Sequence, residues 1–117
     1  MEAILVGIGG AFGAVLRYGV GQLIGTRQFP WATLVVNALG SVILGVVIFG
    51  VSNSEMLLLV GVGFCGAFTT FSSFSFQTVE LWERGDQMLA LVNALSNLGI
   101  SLLGFACAWF LVEVSLV

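Results

Sequence analysis

The amino-acid sequence predicts an all-α membrane protein of four transmembrane helices, the third broken near its middle, and three observations carry that prediction. The first is composition. Of 117 residues, 59% are hydrophobic and 8% are charged, which is more apolar surface than a domain of this size can hide inside itself, so lipid must be its solvent. The second is the placement of the charges: residues 28–54, 56–79 and 87–112 carry none, and each run is long enough to cross a hydrocarbon core of ~30 Å as a helix. The third is punctuation. Residues 25–30, 52–55 and 83–87 hold the turn-forming and charged residues and are too short for any soluble module. Helices are therefore expected at about 3–23, 31–51, 56–82 and 87–113, forming one four-helix domain over 1–117.

The first helix has Glu2 where a signal peptide would carry basic residues, and no small-residue cleavage pattern precedes its polar end, so it is expected to remain in the mature protein. Gly9 and Gly13 form a small-xxx-small pair, a common contact face between membrane helices. Arg17 is the one formal charge deep in a span. Two readings are open for it: the side chain snorkels to the interface, or it places a positive charge at the mouth of an anion path.

In the second helix Asn37 and Ser41 lie four apart on one face, with Gly45 four further on. In the fourth, Asn93, Asn97 and Ser101 repeat that spacing over two turns as a polar stripe. Such stripes serve either as helix-to-helix glue or as the lining of a polar passage. The third helix concentrates the question in CGAFTTFSSFSFQ, residues 65–77. Gly61, Gly63 and Gly66 weaken the helix and Thr69 and Thr70 are β-branched, so a local break is expected there. Carbonyls released by a break cannot stay unpaired in lipid and must face protein, water or an ion. Beyond it Phe71 and Phe74 share a face, with Ser72, Ser73 and Ser75 around them. Phenyl rings turned edge-on offer weak positive potential without a full charge, a lining that tolerates an anion without trapping it. Lipid contact or core packing is the alternative for both rings.

Several function classes are disfavoured. There is no histidine, and no nucleophile has an evident base, which argues against an enzyme. Cys65 and Cys107 both fall within spans and fit no metal motif or disulfide framework. A net charge of -3 speaks against nucleic acid. A small multidrug-type exporter shares the four short helices, but it needs a carboxylate buried in the membrane, and the six acidic residues here lie at or near span ends. A non-conducting assembly subunit is the remaining rival. Orientation is weakly instructed: there is no lysine, and Arg27 and Arg84 are the only basic residues in turns, a slight bias towards a cytoplasmic first and third turn. Such a chain can insert both ways up.

Taken together, GGAFGAVLRY (9–18), FPWATLVVNALGSVILG (29–45) and GFCGAFTTFSSFS (63–75) resemble, in order and spacing, the three hallmark motifs of the Fluc, or CrcB, family of fluoride channels, over nearly the whole chain. The resemblance implies a passive fluoride channel that exports fluoride from the cytoplasm across the cell inner (plasma) membrane. It implies an antiparallel, dual-topology dimer with two fluoride pathways and a structural sodium ion between the subunits. By motif position, the carbonyls of Gly66 and Thr69 from both subunits would hold the sodium. Phe71, Phe74, Asn37, Ser72, Ser73 and Ser75 would line the pathway, Asn93, Asn97 and Ser101 would match the family's hydroxyl track, and Arg17 would lie toward a vestibule. Where the family often has Tyr and Ser this chain has Asn93 and Asn97, and where it often has Glu this chain has Gln77. Amides still donate hydrogen bonds, and the substitutions leave open pairing with a homologous second subunit in place of a homodimer.

Overall fold

The computed structural model describes residues 1–25 and 27–117, so of the expected first turn Thr26 lies outside the described residues. Among the described residues, four helices are long and apolar enough to cross a membrane. The first is α1 (Glu2–Ile24) and the second α2 (Trp31–Gly50). The third span, Ser54–Glu83, is not one regular helix. It starts with a turn of α3 (Ser54–Met56), winds as a π-helix over Leu57–Cys65, returns to α4 (Gly66–Phe68), breaks, and resumes as α5 (Phe71–Glu83). The fourth is α6 (Gln87–Leu116), 30 residues long. At ~1.5 Å per residue it exceeds the ~30 Å hydrocarbon thickness, so its ends stand in the interfaces.

Local chemistry sets these boundaries. Asn53 caps the third span, its side-chain oxygen accepting from the amides of Glu55 at 2.8 Å and Met56 at 3.2 Å. Gly85, at φ +88°, makes the tight turn between α5 and α6 in a conformation that favours glycine. The break falls at Thr69 (φ −80°, ψ 161°) and Thr70 (φ −149°, ψ 115°), both extended. Thr70 then caps α5, its hydroxyl oxygen accepting from the Ser73 amide at 3.1 Å.

Small residues bring the backbones together. α1 packs on the π-helical segment and α4, and α2 packs chiefly along α6. A Cβ on Gly9 or Gly13 would fall on the carbonyl oxygens of Leu59 and Phe64, and one on Gly63 would come 2.6 Å from the Val6 carbonyl oxygen. On the other side, Gly45 meets the Ala108 methyl and Gly104 meets Val42. The π-winding occurs where α1 presses closest. Wider turns are rare beyond a single turn and cluster at functional sites, and here one leads directly into the break.

Candidate functional site

The break is held by a neighbouring side chain. Asn37, on α2, accepts from the Thr70 amide through Oδ1 at 2.8 Å and donates from Nδ2 to the Thr70 carbonyl at 3.2 Å. One amide side chain thus pairs both backbone groups of an extended residue, as a strand partner would. Because the Thr70 amide is taken, the Gly66 carbonyl loses the donor that a continuous helix would give it. The Thr69 hydroxyl bonds back to the Cys65 carbonyl at 2.8 Å, and the Thr69 carbonyl accepts from the Arg17 guanidinium at 3.3 Å. Arg17 therefore reaches the break itself from α1, and is half-buried there.

A second set of amides continues from Asn37. Its Nδ2 also donates to Asn97 Oδ1 at 3.0 Å; Asn97 Nδ2 donates to Asn93 Oδ1 at 2.9 Å and to the Asn93 carbonyl at 3.0 Å. Asn93 Nδ2 then donates to Thr78 Oγ1 at 2.8 Å, and the Thr78 hydroxyl donates to the Phe74 carbonyl at 2.7 Å. Asn93 has no exposure at all and Asn97 is buried. Of the stripe expected on the fourth helix, the Asn93 side chain is thus enclosed within the subunit, while Asn97 and Ser101 reach a groove.

That groove, of about 620 Å³, opens along the break. Asn37, Gly66, Thr69, Phe71, Phe74, Asn97 and Ser101 all line it, together with Ser41 and Thr70. The rings of Phe71 and Phe74 lie 5.8 Å apart, tilted by 49°, and Phe71 is 79% exposed. Ser72, Ser73, Ser75 and Arg17 are not on its wall. Ser73 and Ser72 contact the Thr70 hydroxyl at 3.1 and 3.3 Å, and Ser75 bonds back to the Phe71 carbonyl at 2.9 Å. Gln77 accepts from the Thr33 hydroxyl at 2.7 Å, tying α5 to α2 while keeping its own amide hydrogens. No formally charged residue lines the groove among the described residues.

The profile of the family described as CrcB-like protein, Camphor Resistance (CrcB), matches residues 4–110. The chain belongs to the CrcB family. It is 50% identical over 113 residues to "Fluoride-specific ion channel FluC 2" of Haloarcula marismortui, covering 97% of this chain and 95% of that one. It is 46% identical over 110 residues to "Fluoride-specific ion channel FluC 1" of Halobacterium salinarum, covering 94% and 92%. It is 35% identical over 117 residues to "Fluoride-specific ion channel FluC 2" of Clostridium acetobutylicum, covering 97% and 100%. This CrcB-family chain is thus a multi-pass membrane protein.

Two residues of the site are absent from the sequence-based set. Thr70 carried a signal, since threonine is a favoured residue just before a helix starts, but its backbone pairing with Asn37 did not. Thr78 carried none: it matters because α6 places Asn93 against it.

Proposed function

We propose that the chain is a passive fluoride channel of the plasma membrane, exporting fluoride from the cytoplasm. The observation that carries this reading is the groove at the helix break, which combines tilted phenyl rings, hydroxyls and amides with no formal charge on its wall. A small, strongly hydrated anion needs donors and ring edges in place of its water, and a full positive charge would hold it too tightly for conduction. The relatives, named as fluoride-specific ion channels, support the choice of fluoride. A channel makes and breaks no covalent bond. Pure chain in liposomes should release fluoride rapidly, electrogenically and independently of a pH gradient; strict proton coupling would point to an exporter instead. Phe71→Ile and Phe74→Ile keep bulk but remove the ring quadrupole, so each should lower flux by roughly threefold to tenfold. Unchanged flux from both, singly and together, in correctly folded protein would make the rings packing residues.

The working unit is read as an antiparallel homodimer, with a homologous second subunit as the alternative. Phe71, so exposed on one subunit, and the open groove beside it support a second copy as cover. The weak basic bias of the turns supports insertion in both orientations. A single cysteine placed at either terminus should react in part with an impermeant reagent added to intact cells, and the remaining population should react only once the cells are permeabilised. Labelling from one side alone removes dual topology for the chain expressed by itself.

The residues at the break fit a sodium ion. The Gly66 carbonyl has lost its helical donor to Asn37, the Thr69 carbonyl keeps one lone pair beside Arg17, and a hard cation favours such oxygens. Doubled by a partner, Gly66 and Thr69 would hold it. When bound, sodium would neutralise carbonyl dipoles at the break and join two subunits. Arg17 opposes it: two cations on one carbonyl oxygen sit within ~6 Å, a repulsion of about 3 kcal/mol at an effective dielectric of ~20. Arg17→Gln should therefore tighten sodium binding at least about tenfold, read as the sodium concentration that half-maximally raises the unfolding midpoint in detergent. Looser or unchanged sodium dependence would place the ion elsewhere.

A further inference from the structure

We infer that Asn97 is a positioning residue for conduction: its side-chain oxygen is a resident acceptor that holds the Asn37 amide hydrogen between anions and takes it back as each one leaves. This rests on the fluoride reading above. Both hydrogens of Asn37 Nδ2 are engaged, one by the Thr70 carbonyl and one by Asn97 Oδ1, so an anion beside Asn37 must displace one of them. The Thr70 bond is not the one to yield, because the same amide grips the Thr70 N–H through Oδ1 at 2.8 Å, and turning it would break both backbone contacts. The Asn97 bond can open without disturbing the break. Asn37 and Asn97 both line the groove, so an anion in it can meet that hydrogen.

The orientation of every amide in the relay is forced by its ends. At one end the Thr70 N–H must meet an oxygen, which fixes Asn37 with Nδ2 towards Asn97. At the other, Asn97 Nδ2 meets the Asn93 backbone carbonyl, which can only accept, so Asn97 Oδ1 must face Asn37. Asn93 in turn is anchored by Thr78 and Phe74. Asn97 therefore cannot rotate to present its own hydrogens to an anion; it presents an oxygen that competes with one. A charged acceptor outbids a neutral one for the Asn37 hydrogen, but only by the difference between the two bonds. The anion is held less tightly than a free amide would hold it, and no amide hydrogen is stranded when it departs.

The test separates holding from passing. Flux through reconstituted protein is measured over a range of fluoride concentrations for wild type, Asn97→Ser and Asn97→Ala, alongside the rise in unfolding midpoint that fluoride produces in detergent. Serine can bond back to the Asn93 carbonyl, so that contact is kept and Asn93 Oδ1 alone loses its donor, while the competing oxygen is withdrawn. The half-saturating concentration should fall by roughly twofold to tenfold, the worth of one neutral hydrogen bond, while maximal flux also falls. Stabilisation by fluoride should begin at correspondingly lower concentration. Asn93→Leu, which unseats Asn97, should shift both in the same direction by less. A merely structural role predicts lower maximal flux with unchanged or raised half-saturation, and that result overturns the inference. If wild-type protein neither passes fluoride nor is stabilised by it, the fluoride reading fails first and the inference falls with it. If Asn97→Ala does not fold, Asn97→Ser decides alone.

Discussion

Gly9→Ala should abolish most folded protein, while Gly7→Ala, two residues earlier and off the contact face, should behave as wild type. The two substitutions add the same methyl group to the same helix. At Gly7 nothing lies within 4 Å of the added carbon. At Gly9 it would land on the Leu59 carbonyl oxygen, with the Phe64 amide nitrogen 2.9 Å away. Both obstacles are backbone, so no rotamer change relieves them, and relief requires α1 to withdraw from the third span. Gly13 and Gly63 make the same kind of contact one turn on and from the opposite side, so withdrawal at Gly9 loosens a continuous seam. Overpacking of this kind costs about 3 kcal/mol or more, against ~0.5 kcal/mol for an unconstrained surface change. The comparison is read in monodisperse yield after detergent extraction and in the unfolding midpoint. Equal values for the two variants would mean that the backbones are not in contact there.

Four helices and the interruption of the third were legible because each rests on a one-dimensional signal. Charge-free runs mark spans whatever their neighbours, and Gly66 with Thr69 and Thr70 weakens a helix locally. The π-winding over Leu57–Cys65 was not legible. Its glycines signal weakness but not a change of hydrogen-bond register, which depends on how closely α1 approaches. The polar stripes were visible as spacing, since residues four apart share a face. Which way a face turns is a tertiary fact: Asn93 is enclosed, Ser101 reaches the groove, and both belong to the same stripe. The pairing of Asn37 with Thr70 joins residues 33 positions apart and that with Asn97 joins residues 60 apart, and no local pattern encodes either. Arg17 shows the same limit. Its charge and depth suggested a role, but its contact with the Thr69 carbonyl exists only because Gly9 and Gly13 let α1 lie against the break.

The second large effect belongs to Asn37. Asn37→Leu keeps the branched outline of asparagine and is more apolar, so hydropathy alone would predict a neutral or stabilising change in a membrane helix. The opposite is expected, because three polar groups lose their partner together: the Thr70 amide, the Thr70 carbonyl and Asn97 Oδ1. Thr70 is buried at the break and lies where lipid or protein, not bulk water, surrounds it. Each stranded group costs about 1–3 kcal/mol, so the sum of about 3–9 kcal/mol approaches the whole stability of a small protein. The unfolding midpoint in detergent should drop by at least ~10 °C, and fluoride flux should vanish with the geometry of the break. Asn37→Asp separates shape from hydrogen bonding. An aspartate has the outline of asparagine and can still accept from the Thr70 amide, but it turns an oxygen toward two other acceptors, the Thr70 carbonyl and Asn97 Oδ1. It should therefore resemble Asn37→Leu in loss of midpoint despite its matching size. Were Asn37 a space-filling residue, Asn37→Asp would keep the wild-type midpoint and Asn37→Leu would raise it. Were it only a ligand for the passing anion, both would lose flux at unchanged midpoint. A large fall in midpoint for both is the outcome that identifies the Asn37 amide as the clasp of the broken helix.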